Sequence, residues 1–187
     1  MTTPNGNEAA PAGQTAPAYP APGSFQLDPA RSAVSITHKT IWGLVTVRGS
    51  FAKVSGAAEI LPDSSGRGRL EIDASSLDTK NAKRDEHLRS KDFFKTADHA
   101  QIIVDLTEAA RHGSDTVTAT GTLTVAGQTR PLSLTAHLSD VTAEAVTLTA
   151  DTEINRADFG MTWNQLGMLK GNAHVSVTAR FVRQQAG

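Results

Sequence analysis

The chain contains no cysteine. That excludes a disulfide, a thiolate nucleophile and any metal site built on Cys ligands. Aromatic residues are scarce at 5%, so a core must be made mainly of small aliphatic side chains. Long hydrophobic runs are missing too. No stretch approaches the roughly 20 apolar residues of a membrane-spanning helix, and no integral membrane segment is expected. Neither sign of charge dominates: 18 Lys and Arg against 19 Asp and Glu give a formal net charge of -1. That balance offers no electrostatic footprint for nucleic acid, and no nucleic-acid partner is expected. The six histidines form no HxH, HExxH or other compact ligand pair, so no metal is expected. GxSxG elbows, Walker A loops and GxGxxG turns are absent as well. Asp85 and Glu86 are adjacent and diverge on a helix, which makes them a poor acid/base pair.

What is present is mostly β pattern. A length of 187 residues favours one domain. Residues 1–24 are rich in Pro, Ala and Gly and read as a disordered tail, because they bury too little apolar surface to offset their ordering entropy. No cationic stretch followed by an apolar one marks a signal peptide there, so a cytoplasmic location is expected. The ordered part, residues 25–187, alternates with period two. In TVTATGTLTV, residues 116–125, Val117, Ala119, Gly121, Leu123 and Val125 face one way and five Thr face the other. Leu132, Leu134, Ala136 and Leu138 repeat the pattern, as do Val146, Leu148 and Ala150, and then Ala173, Val175, Val177, Ala179 and Phe181. Weaker alternation marks segments around Val34, Val45 to Phe51, Ala58, Leu70 and Ile102 to Leu106. About eight half-buried antiparallel strands result, suited equally to two packed sheets or to one closed barrel. The small inward residues leave room and favour a ligand cavity.

One break interrupts the strands, and two further features stand out. Residues 79–91, TKNAKRDEHLRSK, are rich in helix formers, with Asp78 or Thr79 available as cap and Asp85 and Arg89 spaced as an i,i+4 pair. Phe93 and Phe94 follow and are placed to cover one barrel end. The connection 154–172 carries Phe159, Met161, Trp163, Leu166, Met168 and Leu169, which is far more apolar area than a surface loop can leave in water. His38 continues the inward face of Val34 and Ile36 and is the one inward-facing titratable candidate.

Five segments then resemble, in order, the YceI-like family of polyisoprenoid-binding, lipocalin-like proteins. They are FQLDPARSAVSITH (25–38), GLVTVRGSF (43–51), RDEHLRSKDFF (84–94), GTLTVAGQTRPLSL (121–134) and NRADFGM (155–161). The resemblance spans about residues 25–182. It implies an all-β fold, an extended eight-stranded antiparallel lipocalin-like barrel with one short helix. It also implies a hydrophobic tunnel for a long-chain amphiphile: a polyisoprenoid, an isoprenoid quinone, a polyprenyl phosphate or a fatty-acid derivative. No catalytic residue set comes with it, and no cofactor beyond such a bound lipid. Many relatives are exported, whereas this chain shows no signal peptide, and Ala100 stands where relatives often have Pro.

The expected tunnel wall is Val45, Phe51, Leu88, Phe93, Phe94, Ile103, Phe159, Met161 and Trp163. The expected polar end is His38, Arg84 and His87. The expected role is carriage, storage or stress response as a non-catalytic lipid binder. An enzyme acting on an isoprenoid lipid through His38 and a ligand-free interaction protein are the alternatives. Homodimerisation through a strand edge or the surface beside the tail is left open.

Overall fold

A computed structural model describes residues 20–164, 167, 169 and 171–184. Most of the expected tail, residues 1–19, lies outside the described residues, as do Leu166 and Met168. The strands are β1 (Gly23–Leu27), β2 (Ala33–Thr40), β3 (Val45–Phe51), β4 (Val54–Ile60), β5 (Gly66–Asp73), β6 (Leu77–Asp78), β7 (Gln101–His112), β8 (Thr116–Val125), β9 (Gln128–Ser139), β10 (Ala145–Ile154) and β11 (Ala173–Arg183). One α-helix, α1, covers Ala82–Arg89.

The ladder runs antiparallel from β4 through β5, β7, β8, β9 and β10 to β11, and β1 closes it by pairing with both β4 and β11. β2 continues along β11 where β1 stops, and β3 beside it leads into β4. β1 with β2 and β3 with β4 thus act as two bent strands. The result is a closed eight-stranded barrel with β6 appended to β3. Closure through β1 pairs the ends of the ladder with each other, and β6 covers only Ser50 and Phe51 on the outer edge of β3. One end carries the turns at 61–65, 113–115 and 140–144. The other carries the β2–β3 hairpin tip, α1 and the 155–172 connection.

The alternation read in β8 holds: Ala119, Leu123 and Val125 are buried while Thr120 is exposed. β7 departs from simple alternation. Leu106 faces Gly121 but Glu108 faces Thr120, so Thr107 is an extra residue in the ladder. This bulge switches the inward set from Val104 and Leu106 to Ala109 and Arg111. It also brings the β7 backbone so close that a Cβ on Gly121 would sit 2.0 Å from the Asp105 carbonyl oxygen.

The helix is shorter than expected and its contacts differ. Asn81, rather than Asp78 or Thr79, caps it by accepting from the Arg84 N–H at 3.0 Å. The Asp85–Arg89 pair does not form. Asp85 is buried and accepts from the backbone N–H of Thr79 at 3.0 Å and from its hydroxyl. Arg89 donates to the carbonyls of Ser75 and Leu77, both at 2.8 Å. Two carbonyls on the neighbouring segment offer Arg89 fixed acceptors, one of them partly buried, which outweighs a solvated pair along the helix.

Candidate functional site

The barrel holds a cavity of about 200 Å³, lined almost wholly by apolar atoms. Its wall follows the register. Val117, Ala136, Ala150 and Val177 stand opposite one another on β8, β9, β10 and β11, with Arg111 on β7 completing the row. A neighbouring row sets Gly66, Ala109, Ala119 and Leu134 side by side. Many of these inward side chains, among them Val117, Ala150 and Val177, are only half-buried. Large side chains at these positions would fill the lumen. Ala and Gly leave it open, as the period-two reading anticipated for small inward residues.

The lining reaches Ser64 and Ser65 in the 61–65 turn and includes Arg111 at that end. Arg111 is half-buried and donates through Nη2 to the Ser114 carbonyl. Pro20 is buried in the same lining. Its approach is fixed by Arg183, whose guanidinium lies 4.8 Å from the Phe25 ring centroid and donates to Ala21 O at 2.6 Å and Pro22 O at 3.2 Å. Outside β4 and β5 a shallow depression of about 500 Å³ shares Phe25, Ala58, Gly68 and Leu106 with the cavity, so the wall is thin at Gly68. Ion pairs brace its rim, Arg67 with Glu59 at 2.6 Å and Arg69 with Asp105 at 2.9 Å.

The expected wall residues lie elsewhere, and none of them lines this cavity. Phe51, Phe93, Phe94, Phe159 and Met161 are buried in the core cluster, with Leu88 and Trp163 packed against it. They gather around the helix end: Phe51 meets Phe94 at 6.1 Å and Phe93 meets Trp163 at 5.5 Å between ring centroids. Ile103 points outward, because it stands between Glu71 and Thr124 one residue out of phase with Ile102 and Val104. Val45 is 41% exposed at the start of β3 and touches no lumen.

The expected polar end is likewise dispersed. Arg84 turns back to Thr79, donating to its hydroxyl at 2.7 Å and its carbonyl at 2.6 Å. His87 is wedged edge-on between Phe93 and Trp163, with centroids 5.1 and 4.6 Å away, and its Nε2 lies 3.4 Å from Asp92. His38 Nε2 faces the Gly171 carbonyl at 3.3 Å, tying β2 to the 155–172 connection. Burial, reinforced by the nearby Arg156 charge and opposed by that carbonyl, lowers the His38 pKa. Arg156 in turn is lowered by its own burial, and it holds the connection by donating to Met161 O at 2.5 Å and Trp163 O at 2.8 Å. Arg111 and Pro20 had no sequence signal of their own. The first depends on the bulge at Thr107, the second on the clamp from Arg183.

Among the described residues no group of three or more His, Asp or Glu is placed to hold a metal ion, and no helix is long and apolar enough to cross a membrane. Comparison with known proteins adds the following. The model of the YceI-like domain matches residues 25–182. Protein YceI of Escherichia coli is 43% identical over 69 residues, 37% of this chain and 36% of that protein. A UPF0312 protein of Shewanella baltica is 30% identical over 125 residues, 65% of each chain. The chain thus spans between about a third and two thirds of the length of these relatives. Among solved structures, BcnA of Burkholderia cenocepacia superposes with a TM-score of 0.74 at 20% identity, covering 82% of this chain and 98% of that one. A polyisoprenoid-binding domain from Saccharophagus degradans, implicated in plant cell wall breakdown, gives 0.70 at 17% identity, covering 86% and 98%.

Proposed function

Because the chain belongs to the YceI-like domain family, whose barrel it shares with a polyisoprenoid-binding domain, we propose that it binds a single long-chain amphiphilic lipid inside the barrel and performs no chemistry on it. The observation that carries this reading is the inward row of Val117, Ala136, Ala150 and Val177 along the cavity wall, apolar and, at Val117, Ala150 and Val177, only half-buried. An apolar lumen gains roughly 25 cal/mol for each Å² of hydrocarbon it removes from water. At about 200 Å³ the cavity is smaller than the roughly 300–1,000 Å³ of sites for compact small molecules. That space takes a slender segment of an isoprenoid or acyl tail, with the rest of a long chain extending beyond it.

The head group belongs at the 61–65 end, beside Arg111 and the Ser64 and Ser65 turn. A guanidinium at the polar end of an apolar channel favours an anionic head such as a phosphate or carboxylate. His38, Arg84 and His87, already engaged with backbone and aromatic partners, are not needed for it. Binding is preferred over turnover because the titratable lining is confined to Glu59, Arg67, Arg69 and Arg111 at the rim, with Glu59 and Arg67 paired to each other. The test is native mass spectrometry of the delipidated chain with a polyprenyl phosphate and with the matching alcohol. A one-to-one adduct, stronger for the phosphate, is expected. Absence of any adduct overturns the reading.

A further inference from the structure

The apolar surface of this protein is distributed unevenly. Among the described residues the exposed large hydrophobic side chains are Ile41 at 39%, Leu44 at 82% and Val45 at 41%. All three fall within five residues, at the tip of the β2–β3 hairpin. Single exposed apolar residues on a surface need no explanation, but a cluster with none elsewhere does.

The turn is also conformationally costly. Ile41 has φ of 50°, left-handed backbone that a β-branched residue rarely adopts, and Gly43 follows at 93°. A polar turn residue such as Asn or Asp would relieve that strain, so the sequence keeps an apolar side chain where local physics disfavours one.

Charge accompanies the tip. Lys39 pairs across the hairpin with Thr46 and Arg48 with Thr37, which places both cations diagonally on the outer face just behind the apolar residues. Both are exposed, and neither makes an ion pair or side-chain hydrogen bond with the described residues. The nearby acids in the register are engaged elsewhere: Asp78, opposite Ser50, with Lys80 at 2.7 Å, Asp151 with His174 at 3.2 Å and Glu153 with Asn172 at 3.3 Å.

From these features we propose that the β2–β3 tip is a membrane-docking element for an anionic phospholipid bilayer. Ile41, Leu44 and Val45 enter the headgroup–acyl boundary, and Lys39 and Arg48 meet the anionic headgroups. Shallow apolar insertion backed by cations is the general composition of reversible interfacial binding. Docking this way presents to the bilayer the barrel end that carries α1 and the 155–172 connection, and it stands independently of whether the lumen holds a lipid.

The experiment is vesicle flotation of the full chain. One set of vesicles is phosphatidylcholine alone; the other is equal parts phosphatidylcholine and phosphatidylglycerol. Binding is expected to the mixed vesicles, to weaken with added salt, and to fall about fivefold for each of Lys39→Gln and Arg48→Gln. Ile41→Ser with Leu44→Ser is expected to abolish flotation while leaving the thermal midpoint within a few degrees. Unchanged flotation of that double variant overturns the proposal. So does a wild-type dimer that the same variant splits into monomers, since a second copy would then be what covers the tip. Ala150→Leu, which narrows the lumen, is expected to float like the wild type. Its loss of binding would mean that extraction of lipid into the cavity, not docking, held the protein to the vesicles.

Discussion

Replacing Ala150 by Leu separates an open lumen from a packed one. Ala150 lies between Ala136 and Val177 in the ladder, lines the cavity and is only half-buried. Leu adds three carbons to a space of about 200 Å³. In an empty lumen those carbons leave water without displacing neighbours, at about 0.8 kcal/mol each. The delipidated protein should therefore gain about 2 kcal/mol, a rise of about 4–8 °C in midpoint for a chain of this size. In a close-packed barrel the same change forces strained rotamers and costs about 1–3 kcal/mol. The sign of the shift, read by calorimetry on delipidated protein, decides between the two. The variant should also lose uptake of a polyprenyl phosphate, because the added side chain stands where the tail must pass. A destabilised variant, or one that is stabilised yet binds lipid as before, refutes the reasoning.

Three further outcomes follow from named contacts. Arg111→Gln should weaken a phosphate-headed lipid about tenfold or more, the value of a charge-assisted hydrogen bond, and leave the matching alcohol unchanged in the same titration. Asp85→Ala removes the acceptor for the buried Thr79 N–H and hydroxyl, and should cost about 2–3 kcal/mol, read as a fall of about 4–12 °C in midpoint. For His38, burial lowers the pKa, so the folded chain takes up a proton less readily than the unfolded one. Its contribution to stability is intact above about pH 6.5 and is lost as pH falls below that value, and thermal melts of His38→Gln should show a shallower decline over that range than the wild type.

Much of the barrel was legible because period-two alternation reports burial directly. The strands through 116–125, 132–138, 146–150 and 173–181 appear where the alternation placed them, and inward residues of each, among them Val117, Ala136, Ala150 and Val177, border the lumen. None of the nine wall residues expected from the sequence lines the cavity, because which end of the barrel is packed and which is open is set by tertiary packing. Phe51, Phe93, Phe94, Phe159 and Met161 accordingly close the helix end as packed core. Ile103 was misjudged although strict alternation with Ile102 and Val104 already turns it outward. Arg111 could not be read at all, since one extra residue at Thr107 reverses the facing of everything after it in β7, and no local composition marks that bulge. The i,i+4 spacing of Asp85 and Arg89 points to a pair along the helix. Asp85 and Arg89 instead serve backbone groups on the preceding segment, partners that sequence spacing does not reveal.

The central claim is that a lipid tail lies along the barrel axis between β8, β9, β10 and β11. Crystallising the chain with a lipid brominated at defined tail positions tests it directly, because the anomalous bromine peaks locate the tail. Peaks are expected among Val117, Ala136, Ala150 and Val177, with the head group beside Arg111. Peaks only around Phe93 and Trp163, or only on the outer surface, would contradict it.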